Sequence, residues 1–144
     1  PDLGSLVLLA TCDGKTVLLT GDARGDHIRA GLATAGLAKG KKLHVDVLTV
    51  PQHGSSRNLD ETFFRSVTAD TYVISADGRY GQPDVETLQW IVSSAKGRRG
   101  SITLVVTNET ESTRELRRSF DPVAYGYTLE VLEPGSPRHV ITLS

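Results

Sequence analysis

Asp22 and His53 are the two side chains of this sequence whose types and spacing suit them to work together. Each follows an apolar run. Residues 16–20 (TVLLT) stop at Gly21-Asp22-Ala23, and residues 44–50 (HVDVLTV) stop at Pro51-Gln52-His53-Gly54-Ser55. Between them, Ile28, Leu32 and Ala35 recur at helical spacing, so residues 18–57 form one strand–helix–strand unit. A parallel crossover of this kind is right-handed and returns the chain beside its first strand. Asp22 and His53 then emerge from neighbouring strand ends on one edge of a sheet, where open α/β folds bind ligands. A carboxylate and an imidazole at one rim suit a divalent metal. Alone, Asp22 reads as a turn or N-cap aspartate and His53 as an ordinary loop residue; the pairing changes that balance. Two ligands are still an incomplete site.

The elements that must position them run the length of the chain. Residues 5–11 (SLVLLAT) and 16–20 are apolar on both faces, as in strands covered on two sides, and Asp13-Gly14 between them is a hairpin turn signal. A helix spans 24–37. After strand 44–50, Asn58 is the expected N-cap of a short helix with Leu59, Phe63, Phe64 and Val67 on its apolar face. Strand 71–76 (TYVISA) ends at Asp77-Gly78, and the loop Arg79-Tyr80-Gly81-Gln82-Pro83 leads into a helix over 84–96. Strand 101–107 and a charged helix over 111–120 follow. The alternating segments 127–132 and 139–143 flank a Pro-Gly turn and are expected to pair as a hairpin. This order predicts an α/β fold with a mixed sheet and helices on one face. Apolar strands with few helices imply that another sheet buries the second face.

At 144 residues, with 38% hydrophobic and 23% charged residues, the chain has the length and composition of one globular domain. A net charge of -1 excludes a global basic field for nucleic acid or acidic membranes. Lys39, Lys41 and Lys42, then Lys96, Arg98 and Arg99, read as solvated loop rims, and Arg114, Arg117 and Arg118 as a solvated helix face. Cys12 is the single cysteine, so no intrachain disulfide forms, and the cytoplasm is the favoured location. Its apolar run predicts a small core side chain. No apolar run reaches the roughly 20 residues that span a bilayer. The sequence contains no methionine and enters an apolar strand almost at once, which suggests a piece of a longer protein.

Several spaced motifs, LLTGD at 18–22, VPQHGS at 50–55, SADG at 75–78 and YGQPD at 80–84, resemble the C-terminal half of a metallo-β-lactamase-fold hydrolase. The likeness is strongest to the subgroup related to the soluble domain of bacterial DNA-uptake competence channels, and it covers nearly all of residues 1–144. It implies one half of an αββα sandwich with the helices on the outer face of a mixed sheet. It also implies a metal site at the sheet edge. Asp22 matches the carboxylate that commonly bridges two metals, and His53 matches the late histidine ligand. Gln52 and Gln82 stand where many relatives have histidine. The HxHxDH cluster that supplies the other ligands is absent from this sequence. The expectation is therefore an N-terminal half on separate polypeptide, either because the chain is truncated or because the domain is cleaved.

The resemblance implies a hydrolase using zinc or manganese, two ions in all, with phosphodiester cleavage by a nuclease as the leading activity. A divalent ion lowers the pKa of water towards ~7. Ser55, Ser56 and Arg57 are candidates for a substrate phosphate, together with Gln82. Asp77 is divided between forming a turn and orienting a metal ligand. Asp26, His27, His44, His139 and Trp90 read as structural or solvated. Two other functions compete: a degenerate, non-catalytic binding or scaffold module, and a regulatory fragment switched by cleavage.

Overall fold

A computed structural model describes residues 4–144. In chain order the elements are β1 (Leu8–Cys12), β2 (Lys15–Leu19), α1 (Gly25–Thr34), β3 (Leu43–Thr49), α2 (Glu61–Ser66), β4 (Val67–Ile74), α3 (Val85–Ala95), β5 (Ile102–Val106), α4 (Glu111–Ser119), α5 (Pro122–Tyr125) and β6 (Tyr127–Val131). The strands form one six-stranded sheet in the order β1-β2-β3-β4-β5-β6. β1 is antiparallel to β2, and every later pair is parallel. The fold is thus α/β with a mixed sheet.

Sequential addition of parallel strands in one direction has a geometric consequence. With right-handed crossovers, every connecting helix falls on the same face of the sheet. On that face Leu18, Leu48, Tyr72 and Leu104 stand in register across four strands, and all four are fully buried. They pack beneath Ile28 and Leu32 of α1, Phe63 and Phe64 of α2, Leu88, Ile91 and Val92 of α3, and Leu116 of α4. Burying a side chain of this size contributes about 1.5–3 kcal/mol, so this layer dominates the stability of the sheet. Strand alternation points Val17, Leu19, Val47, Thr49, Thr71, Val73, Thr103 and Val105 to the other face. Val47 and Val105 are buried there, but Val17, Thr49 and Val73 are half-buried and Leu19 is 41% exposed.

Three expectations are corrected. Helix α2 is capped by Asp60 rather than Asn58: the Asp60 carboxylate accepts from Phe63 N at 2.7 Å, while the Asn58 amide donates to Gln52 Oε1. The expected C-terminal hairpin does not form. β6 pairs parallel with β5, and residues 132–144 contain no strand among the described residues. Pro134 and Pro137 lack the N–H that a ladder needs, and Ser136 closes a turn onto Glu133 O. Cys12 is exposed rather than in the core, because it ends the edge strand, beyond the reach of the helix layer. The short helix α5, capped by Asp121, carried no periodicity long enough to read. Among the described residues, no helix is long and apolar enough to cross a membrane.

Candidate functional site

The loops that follow β2 and β3 are fastened to each other before either reaches its functional residue. Thr20 N donates to Thr49 Oγ1 at 3.0 Å, and the Thr20 hydroxyl donates to the Thr49 carbonyl. Gln52 N then donates to Gly21 O at 3.0 Å, and the Gln52 side-chain amide donates to Asp22 O at 3.0 Å. Asp22 N donates to the Ser5 hydroxyl at 3.0 Å. The turn over Pro51–Gly54 is unusual. Gln52 (φ 51, ψ 41) and His53 (φ 57, ψ 21) both lie in the left-handed region, a conformation that costs of order 1–3 kcal/mol per non-glycine residue and clusters at functional sites. It swings the imidazole back over the sheet edge.

There the sequence-predicted pair meets. His53 Nε2 lies 3.8 Å from Asp22 Oδ1, and both side chains are well exposed. His53 Nδ1 lies 2.7 Å from the Ser75 carbonyl oxygen. A carbonyl only accepts, so Nδ1 carries a proton, and Nε2 is the nitrogen turned to the Asp22 side. Together they line a small cavity of 170 Å³ with Gly21, Thr49, Val73 and Ser75. A carboxylate oxygen and a ring nitrogen this close could serve as two ligands of one divalent ion. Among the described residues, no group of three or more His, Cys, Asp or Glu side chains gathers around one point.

A second cleft, 430 Å³ in volume, opens on the other side of His53. Asp77 and Gln82 line it with Ser75, Tyr80, Thr107 and Asn108. Asp77 Oδ1 accepts from Arg79 N at 2.9 Å, so it forms a turn while also lining the cleft. Ser55, Ser56 and Arg57 line neither cavity. Ser55 is buried and its hydroxyl accepts from Arg57 N; the Ser56 N–H and hydroxyl both bond Asp84 Oδ2, at 2.8 and 2.9 Å. Asp84 is the residue that sequence reasoning missed. It anchors the segment beyond His53 from 28 residues away, and its N–H also donates to Gly54 O at 2.9 Å. Its place after Gln82-Pro83 marked a helix start, but nothing local marked its reach.

The other candidates stand apart. Asp26 pairs with Arg24 at 3.0 Å, and that guanidinium holds the carboxyl at a pKa of about 2. His44 binds Thr68 and Asp70 at the opposite end of the strands, and His139 lies 3.7 Å from Glu130. Trp90 packs against the core. Arg114, Arg117 and Arg118 are each paired with glutamates on or beside α4.

No family model matches the chain, and no solved structure matches it. Among curated proteins it is similar to microtubule-associated protein 1A. Identity is 32% over 108 residues with the proteins of Mus musculus and Rattus norvegicus, and 33% over 109 residues with that of Homo sapiens. The match takes in 72% of this chain but spans only 4% of the length of each relative.

Proposed function

We propose that this chain is the C-terminal half of a metallo-β-lactamase-type αββα sandwich. In this reading it acts as a metal-dependent hydrolase, a phosphodiesterase or nuclease, together with an N-terminal half contributed by other residues. The observation that carries the reading is the approach of His53 Nε2 to Asp22 Oδ1 with Nδ1 held on a carbonyl. The half-open second face of the sheet, with Leu19, Val17 and Val73, supports a further sheet packed against it.

Asp22 and His53 would hold the ion, zinc or manganese, and the missing half would complete a site for two. A divalent metal there would supply Lewis acidity and bring the pKa of water towards ~7. This chain's own residues do the rest. The Asp22 carboxylate offsets cationic charge, and the Ser75 carbonyl holds the His53 ring in place through Nδ1. The Gln52 amide locks the Asp22 loop. Gln82 and Asn108 line the 430 Å³ cleft in which a substrate would lie.

The test is hydrolysis of a bis-aryl phosphodiester by the chain joined to its N-terminal half. Asp22→Asn and His53→Ala should each lower kcat/KM by more than the roughly 10–100-fold that loss of an outer ligand partner costs. Activity unchanged in both variants would refute the hydrolase reading.

One observation favours a binding module instead: the relatives are named for association with microtubules. On that reading Gln52 and Gln82 mark a site adapted to binding. Co-sedimentation with microtubules, unaffected by Asp22→Asn and unaccompanied by bound metal, would select it.

A further inference from the structure

The two basic loops, far apart in sequence, meet at one edge of the sheet. Because β2 to β6 run parallel, every loop entering a strand emerges at the edge opposite Asp22 and His53. The α1–β3 loop brings Lys39, Lys41 and Lys42 there, the end of α2 brings Arg65, and the α3–β5 loop brings Lys96, Arg98 and Arg99. Arg98 ties them together. Its guanidinium donates to Ala69 O at 3.1 Å, lies 3.6 Å from Asp70, and approaches His44 Nδ1 at 3.5 Å. Lys42, His44, Arg65, Thr68 and Ser94 line an open depression of 580 Å³ with no carboxylate in its walls.

Few acids answer this charge. Asp70 is shared by His44 and Arg98, and Glu61 pairs with Arg65 at 2.7 Å. Lys39, Lys41, Lys42 and Arg99 form no ion pair among the described residues and are exposed. A chain of net charge -1 therefore keeps one strongly positive edge.

We propose that this edge docks an acidic polypeptide segment rich in glutamate and aspartate. The unpaired cations are mostly lysines, which act as point charges, whereas planar, bidentate recognition of phosphate favours free guanidinium forks. Two of the three arginines at this edge are already engaged. Single-stranded nucleic acid needs exposed rings on which bases stack, but Tyr125 is half-buried with Lys96 Nζ 4.7 Å from its ring centre. A flexible carboxylate-rich segment needs only spaced positive charge along its path. The inference does not depend on the metal site, which lies at the other edge.

The experiment follows the anisotropy of a labelled oligoglutamate peptide titrated with the 144-residue chain. Binding is expected at about 0.05 M salt and lost at about 0.5 M, where the screening length falls well below 10 Å. Lys42→Glu combined with Arg99→Glu, one change in each loop, should weaken binding about tenfold or more. Asp22→Asn should leave it unchanged. The milder pair Lys42→Gln and Arg99→Gln, checked by circular dichroism, should weaken binding with the fold intact. Equal binding by the native chain and both double variants would overturn the proposal. So would tighter binding of a DNA duplex than of the peptide at the same salt.

Discussion

The imidazole of His53 donates its Nδ1–H to the carbonyl of Ser75 at 2.7 Å, and that single bond decides which nitrogen faces Asp22. The bond exists because Gln52 and His53 both adopt left-handed backbone, which turns the ring towards the end of β4. Neighbours hold that conformation from three sides: Gly21 O accepts from Gln52 N, Asn58 binds the Gln52 side chain, and Asp84 grips the segment just beyond.

Gly54 is the tightest point of the turn. Its φ is +81°, and a Cβ added there would lie 2.7 Å from Pro83 Cβ and 3.2 Å from Pro83 Cα. Strained backbone costs about 1–3 kcal/mol for a non-glycine residue, and crowding of a packed contact adds about 1–3 kcal/mol. Gly54→Ala should therefore destabilise the chain by about 2–6 kcal/mol in urea unfolding. A loss below about 1 kcal/mol would show that the turn relaxes freely.

Tyr72 fills the centre of the helix-facing layer, and its hydroxyl accepts from Ala69 N at 3.1 Å within the same strand. Burial pushes the Tyr72 hydroxyl pKa up, so it stays protonated. Tyr72→Phe keeps the ring and leaves a buried N–H without its partner, a loss of about 1–3 kcal/mol. Chemical denaturation should show that loss with an unchanged m-value.

Asp46 ties β3 to β2. Its carboxylate accepts from Thr16 N at 2.8 Å and from the Thr16 hydroxyl, and the backbone donor is the chief reason its pKa falls below the usual 3.8. A carboxyl depressed in the folded state stabilises the fold above its unfolded pKa and loses that contribution as pH falls through the folded one. The native chain should lose melting temperature as pH drops below 3.8. Asp46→Asn should begin lower at neutral pH and fall less steeply. Parallel curves would exclude the group as a source of acid sensitivity.

Much of this was readable in the sequence, for local reasons. LLTGD and VPQHGS sit where apolar strands give way to polar turns, and right-handed crossover geometry then makes Asp22 and His53 neighbours. The parts that were not readable are non-local or lie at edges. Left-handed Gln52 and His53 carry no glycine signal, since tertiary contacts impose that backbone. Asp84 announces a helix start but not its grip on Ser56. Cys12 sits in an apolar run yet is exposed, because β1 is an edge strand. The alternation over 127–132 and 139–143 resembles two strands, but only the first becomes one, and it pairs with β5 instead. The basic edge was legible only as two separate loops.

The most direct measurement is a zinc titration of the 144-residue chain followed by imidazole ¹⁵N NMR. The account predicts that His53 Nε2 shifts while its Nδ1 stays protonated, that Asp22→Asn weakens the response, and that His27, His44 and His139 do not follow it. An unmoved His53, or a response that survives His53→Ala, would contradict it.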